Sequence, residues 1–322
     1  MSASAARLLP RGRPGTAWLL ALGLLAFEVG AVLVLSEDSA VEHFATEWIH
    51  TATVFVAAFL CWWRAASEPA GRAAWLAFGA ATACFGVGEG IAAGYGDDSP
   101  PIPSVADVFW LLWYPFAGVG IAYLVRHHVA RFELHRWVDG LAIVLLVAIP
   151  GVGLVLEPVL EESGEGGVAE LLGFLYPLAD LMLIGAVLGV LPLHGWRPGR
   201  IWPILGLGLL LIAGADVAYY IENAEAEYRP GVVDPFWSTG VLLVALAAWQ
   251  APDRPEREPE IVGWKAVALP VAVQAVAVGI QIYAYSHELP ESERILTVAV
   301  LLLAMVQIIA SRPRVRGPTG DG

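Results

Sequence analysis

Six carboxylates stand where a carboxylate is costly. Glu28, Glu89, Asp180 and Asp216 each interrupt a long apolar run, and Asp107 and Asp234 stand at the start of one. A charge inside a bilayer costs several kcal/mol, so each such acid invites a functional reading. No Lys or Arg lies deep enough in these runs to pair with them. The acids must then be protonated, hydrogen-bonded to Tyr, Trp or Ser, or wetted by a cavity. Most lie toward one end of their runs, which suggests a polar pocket opening outward. A ligand pocket and simple bonding between neighbouring helices are both open for Glu89, Asp180 and Asp216. Glu28 reads first as a helix–helix bond, since it alone breaks its run. Tyr114 and Tyr176, each followed by proline, join the candidate ligand-binding set.

Asp107 and Asp234 have a second explanation. In P-I-P-S-V-A-D, Ser104 is a natural N-cap and Asp107 falls at N3, a capping-box spacing. In V-D-P-F-W, Asp234 reads as an N-cap with Pro235 at N1. A capped helix start also favours an anion, so capping and ligand contact are compatible. His43, Glu47 and His50 follow i, i+4, i+7 spacing, which on an α-helix lines them along one face. Two imidazoles and a carboxylate there are candidate metal ligands. His127, His128, His135 and His194 sit on the basic side of the chain and, with Arg126, Arg131 and Arg136, suit anionic lipid headgroups. No cofactor is indicated.

The elements that carry these residues are membrane helices. Of the 322 residues 57% are hydrophobic and only 15% charged. Soluble domains carry roughly 25% charged residues, so an ordinary soluble protein, a disordered chain and a disulfide-built module are excluded. Nucleic acid is not an expected partner of a chain with net charge −13. A helix needs about 20 apolar residues to span the hydrocarbon. Ten stretches qualify: 17–36, 47–63, 73–95, 105–125, 137–157, 169–192, 200–221, 235–250, 264–284 and 295–311. The expected fold is an all-α, polytopic integral membrane bundle of ten transmembrane helices spanning 17–311. A cytoplasmic segment 1–16 precedes it and a short tail 312–322 follows.

All of the 18 Lys and Arg residues except Arg229 and Arg294 fall on alternate loops, Arg64 and Arg72 among them. Acids crowd the other set. The basic side is cytoplasmic by the positive-inside rule, which puts both termini inside the plasma membrane. Trp18, Trp75, Trp137, Trp202, Trp249 and Trp264 read as an inner aromatic belt, and Trp48, Trp110 and Trp237 as an outer one.

The chain also resembles itself at an offset of 127 residues. Trp75 aligns with Trp202, Gly79 with Gly206, Glu89 with Asp216, Trp137 with Trp264, and Asp107-Val-Phe-Trp110 with Asp234-Pro-Phe-Trp237. Helices three to six (73–192) would repeat as seven to ten (200–311). Four spans per unit return the chain to the same side, so the repeat is parallel.

Nucleotide-binding, serine-hydrolase and zinc-protease signatures are absent, and no inter-span segment is long enough for a soluble catalytic domain. An enzyme is therefore not expected. P-S-V-A-D-V-F-W-L-L-W-Y-P-F (103–116), R-W-V-D-G-L (136–141), L-Y-P-L-A-D-L (175–181) and A-G-A-D-V-A-Y (213–219) resemble the multi-helix N-terminal region of actinobacterial membrane GGDEF/EAL proteins. The resemblance covers most of 73–250. It implies a membrane sensory module whose partner is a cytoplasmic output domain or signalling protein. The chain lacks the G-G-D-E-F and E-A-L signatures, so that chemistry does not carry over. The expected function is a signal-transduction module that binds a small ligand or ion, with the lipid bilayer and a second copy as further partners. The alternative is a proton- or cation-coupled transporter or channel.

Overall fold

In a computed structural model the chain is described at residues 15–35, 39–96, 100–101, 103–128, 168–193, 199–225 and 231–250, with Val298 alone beyond them. Among these residues there are seven helices and no strand. They are α1 (Gly15–Val34), α2 (Ala40–Ser67), α3 (Arg72–Ala93), α4 (Val105–His128), α5 (Val168–Leu193), α6 (Ile201–Glu225) and α7 (Asp234–Ala248). They fall on seven of the ten apolar stretches. The stretches 137–157, 264–284 and 295–311 lie outside the described residues, Val298 apart. Five helices (α1 to α4 and α6) are long and apolar enough to cross a membrane, and α5 and α7 carry shorter apolar stretches. Such a bundle fits a membrane-embedded protein.

Helix α2 is not a uniform α-helix. Ser39 caps it, its Oγ accepting from the Glu42 amide at 3.1 Å. Ala45–Ile49 then form a π-helical turn before the α-helix resumes at His50. Such a turn bonds i to i+5 and displaces the carbonyls around it. Threonines take those carbonyls up: Thr46 Oγ1 donates to Glu42 O at 3.1 Å, Thr51 to Glu47 O at 2.7 Å and Thr53 to Ile49 O at 2.8 Å. The connection to α3 turns at Gly71, whose φ of 70° only glycine adopts freely.

Side-chain pairs give the topology. His50 meets Glu89 while Trp62 lies against Gly79, so α2 and α3 are antiparallel. Phe85 pairs with Trp113 and Phe78 with Gly120, so α3 and α4 are antiparallel too. Tyr176 reaches Asp107, and Asp180 reaches Tyr114 further along both helices, so α4 and α5 are parallel. Helix α6 returns antiparallel to α5 and to α7. Helices α2 and α7 are parallel: His50 meets Ser238 near one end, and Arg64 meets Ala248 near the other.

The core runs through all seven helices and centres on Trp75, Trp202, Phe78, Leu60, Leu124 and Leu205. Glycines bring backbones close. A Cβ on Gly208 would lie 2.7 Å from the Gly240 carbonyl oxygen, so α6 and α7 nearly touch. The outside is apolar as well: Leu19, Leu33 and Val34 are 73%, 71% and 80% exposed. Lipid, not water, suits that surface. Trp75 and Trp202, expected in the inner belt, are instead buried in the core at 2% exposure. Trp48 lies on the outside of the bundle, 48% exposed.

Candidate functional site

The ends of α1, α3 and α6 meet the starts of α2, α4, α5 and α7, and the intramembrane polar residues gather there. His50, the first residue after the π turn, is buried at its centre. Its Nδ1 lies 3.0 Å from Glu28 Oε1 on α1 and 2.9 Å from Ser238 Oγ on α7. Its Nε2 lies 3.5 Å from Glu89 Oε2 on α3. Glu28 and Ser238 have no exposure, whereas the Glu89 side chain keeps 21%. An imidazole is thus held between two carboxylates from different helices, with a hydroxyl alongside.

Glu89 Oε1 accepts from Trp110 Nε1 at 2.9 Å. Asp216 Oδ1 accepts from Trp237 Nε1 at 2.7 Å. Both acids lie in the second half of the returning helix of an antiparallel pair, and both donors stand 21 residues later on the next helix. The other Asp216 oxygen accepts from Tyr114 OH at 3.3 Å. Asp180 on α5 lies within interacting reach of Asp216 and of Tyr114. Its Oδ2 is buried with no hydrogen-bond partner among the described residues, as is Glu28 Oε2. Glu89 and Asp216 lie close enough to feel each other's charge.

Asp107 does two things. Its Oδ2 accepts from the Ser104 amide at 2.7 Å and the Ser104 hydroxyl at 3.1 Å, while Ser104 Oγ accepts from the Ala106 amide at 3.2 Å. That is the expected capping box. Its Oδ1 accepts from Tyr176 OH at 2.9 Å. Asp234 differs from expectation. Val233 is the N-cap and Asp234 the first helical residue, so its carboxylate bonds back to the Gly231 amide rather than forward into the helix. Ser104 and Gly231 are 127 residues apart, as are Asp107 and Asp234. The Tyr114 and Tyr176 rings meet edge-on with centroids 6.1 Å apart, and Tyr219 and Trp237 likewise at 6.4 Å.

The chain matches no family model, no curated protein and no solved structure. Its site therefore rests on its own geometry.

Of the candidate ligand-binding residues, Asp180, Asp216 and Tyr114 come together directly, and Glu89 lies within electrostatic reach of Asp216. Asp107 and Tyr176 pair beside them, and Asp234 is within electrostatic reach of His50. The metal set does not assemble. Among the described residues no three His, Cys, Asp or Glu side chains are placed to hold a metal ion. The π turn is the reason. It lies between His43 and His50 and breaks the α-helical spacing that would align His43, Glu47 and His50. His50 consequently turns into the bundle toward Glu28, while His43 and Glu47 are half-buried.

Three further polar partners were not expected. Trp110 and Trp237, read as belt residues, aim their indole N–H inward at acids. Their common spacing of 21 residues from an acid was the available signal. Ser238 joins His50 across two distant segments, which no local pattern foretells. At the opposite end, Arg64 is not in a loop. It is buried in the last turn of α2, where Nε donates to the Ala248 carbonyl at 2.8 Å and Nη2 pairs with Glu68 at 3.0 Å. The side chains of His127, His128, His135 and His194 lie outside the described residues.

Proposed function

We propose that this chain is a membrane-embedded sensory and signal-transduction module, which binds a small ligand or ion at the acid cluster and passes its occupancy to a cytoplasmic partner. One observation carries the reading. Two acids, Glu89 and Asp216, sit 127 residues apart, each bonded by a tryptophan 21 residues on, and both enter one cluster. A structural bond between helices needs one such pair. Two equivalent pairs brought together with His50, Asp180 and Tyr114 make a polar centre shared by most of the bundle.

The same offset supports a parallel repeat. The starts of α2, α3 and α4 recur at α5, α6 and α7 within two residues of 127. The correspondence thus begins one helix earlier than the Trp and acid motifs alone suggest. The halves interleave: α2 packs on α7, and its counterpart α5 packs on α4. This is the reciprocal pattern of a two-fold dimer inside one chain. Ten spans agree with the helix directions. Because α4 and α5 are parallel, the chain between them joins opposite ends of the bundle, which suits a crossing over 137–157. The positive-inside rule then puts both termini in the cytoplasm and the acid cluster toward the outside of the plasma membrane. The resemblance to sensory regions of GGDEF/EAL-type proteins supports the same reading.

The test is ligand-dependent thermal stabilisation of the protein in nanodiscs across a panel of ions and small polar molecules. A ligand that stabilises the native protein is expected to lose its effect in Glu89→Gln and Asp216→Asn, with both variants still folded. Unchanged shifts in both variants would refute the site. The chain of contacts from Glu28 through His50 to Glu89 favours a second reading, proton- or cation-coupled transport. Flux in proteoliposomes tests it, and absence of flux across the ion panel would eliminate it.

A further inference from the structure

Resting on that reading of the cluster as a binding site, we infer that its ligand is the proton, held at two places: on His50 between Glu28 and Glu89, and between the carboxyl groups of Asp180 and Asp216.

Hydrogen-bond chemistry supports both places. Two carboxylates have no donor between them, so Asp180 and Asp216, which lie within reach of one another, can join only when one of them carries a proton. Among the described residues no Lys or Arg acts on this pair. Tyr114 of α4 and Trp237 of α7 donate to Asp216, Glu89 of α3 adds a further carboxylate, and Tyr219 of α6 is a neutral phenol at hand. At the other place the imidazole faces Glu28 of α1 at 3.0 Å and Glu89 of α3 at 3.5 Å, with Asp234 of α7 within electrostatic reach. Ser238 of α7 serves Nδ1 as donor or acceptor. Each of these groups lies outside the reach of Lys and Arg among the described residues, because Arg64 bonds at the far end of α2. Asp180 Oδ2 is buried with no hydrogen-bond partner among the described residues, which leaves it room for a proton.

The two places stand in the two halves of the repeat but use different chemistry. At the 127-residue offset His50 corresponds to Pro177, and Asp180 to Thr53. One half gives the proton to an imidazole and the other to a second carboxyl. Two chemically different acceptors titrate separately, so a bundle built this way responds to acidity in two steps.

The experiment measures proton uptake directly. Nanodisc-embedded protein in unbuffered solution is given acid pulses across about pH 10 to 4, a window reaching well above ordinary His and carboxyl titration because a proton held between carboxylates leaves only at higher pH. A pH-indicator dye counts the protons taken up. Emission from Trp110 and Trp237, each isolated by difference from its Trp→Phe variant, reports the two acids separately. His50→Gln is expected to take up about one proton fewer and to shift the midpoint of the Trp110 signal. Asp180→Asn is expected to lose about one proton and to shift the Trp237 signal. Uptake and midpoints unchanged in both would overturn the inference. If either variant fails to fold, Glu89→Gln and Asp216→Asn replace them, since each keeps an oxygen for its indole, and the same unchanged result overturns it. Lost ligand shifts with intact proton uptake would overturn this inference and leave the sensory site standing. Lost protons with no stabilising molecule in the panel would uphold it and dismiss a molecular ligand.

Discussion

A single methyl group added at Gly88 is expected to unseat Trp110. A Cβ there would lie 2.5 Å from Trp110 Cδ1 and 2.6 Å from its Nε1, well inside contact distance. The indole must swing away, and its N–H leaves Glu89 Oε1, now 2.9 Å distant. Overpacking of this kind costs about 1–3 kcal/mol. Loss of the hydrogen bond adds about 1 kcal/mol, at the low end because Glu89 keeps some exposure. Replacing a mid-helix glycine by alanine returns about 1 kcal/mol. The last two cancel, and Gly88→Ala is expected to destabilise by about 1–3 kcal/mol. In a Trp110→Ala background there is no ring to strike and no bond to lose. Gly88→Ala should then stabilise by up to about 1 kcal/mol. The assay is a double-mutant cycle by denaturing-detergent titration in mixed micelles, followed by circular dichroism. A coupling of about 2–4 kcal/mol is the difference between those two backgrounds. If Gly88→Ala is equally harmful in both, the packing of α3 against Trp110 is not what limits that position, and the argument fails.

Other substitutions test other joints. Gly208→Ala is expected to cost about 1–3 kcal/mol, because its neighbour is the Gly240 backbone, which cannot rotate aside; Gly214→Ala, with open space around it, should be neutral or better. Parallel melts of the two variants decide this. Arg64→Ala removes the hydrogen bond to the last carbonyl of α7, and a loss of about 1–3 kcal/mol is expected; equal stability would mean the α2–α7 joint rests on Trp249 and Leu60 instead. Tyr176→Phe frees one oxygen of Asp107 and spares the capping box, so it should cost about 0.5–1.5 kcal/mol and less than Ser104→Ala with Asp107→Ala together. Trp110→Phe and Trp237→Phe are expected to lower stability by similar amounts in the same titration. A large disparity would speak against equivalent roles.

Much of the fold was legible because lipid makes strict demands. Long apolar runs mark helices whatever their neighbours are, and α3, α4 and α5 begin and end within a few residues of the stretches read from hydrophobicity. The acids were legible for the same reason, since a carboxylate within such a run needs an explanation. Direction around a helix was less legible. Trp110 and Trp48 both stand near a helix end, and hydrophobicity alone does not say that one faces an acid and the other faces outward. Arg64 shows the same ambiguity, because a cation at a helix end suits a headgroup as well as a neighbouring carbonyl. His50 was misassigned for a separate reason. Spacing arguments assume 3.6 residues per turn, and the π turn at Ala45–Ile49 invalidates that assumption just before it. Contacts such as His50 with Ser238, remote in sequence, leave no local trace.

The joint between α2 and α7 has a consequence for how the protein is made. His50 and Arg64 find Ser238 and Ala248 only after 188 and 184 further residues have been synthesised. At roughly 5–20 residues per second that interval is about 10–40 s. Throughout it, an imidazole and a guanidinium sit on a helix whose final neighbour does not yet exist. During that interval His50 has, among the described residues, only Glu28 and Glu89, and Arg64 only Glu68, so the α2–α7 joint closes last. Slowing translation between α4 and α7 should then lengthen the protease-sensitive life of α2 without altering the finished protein.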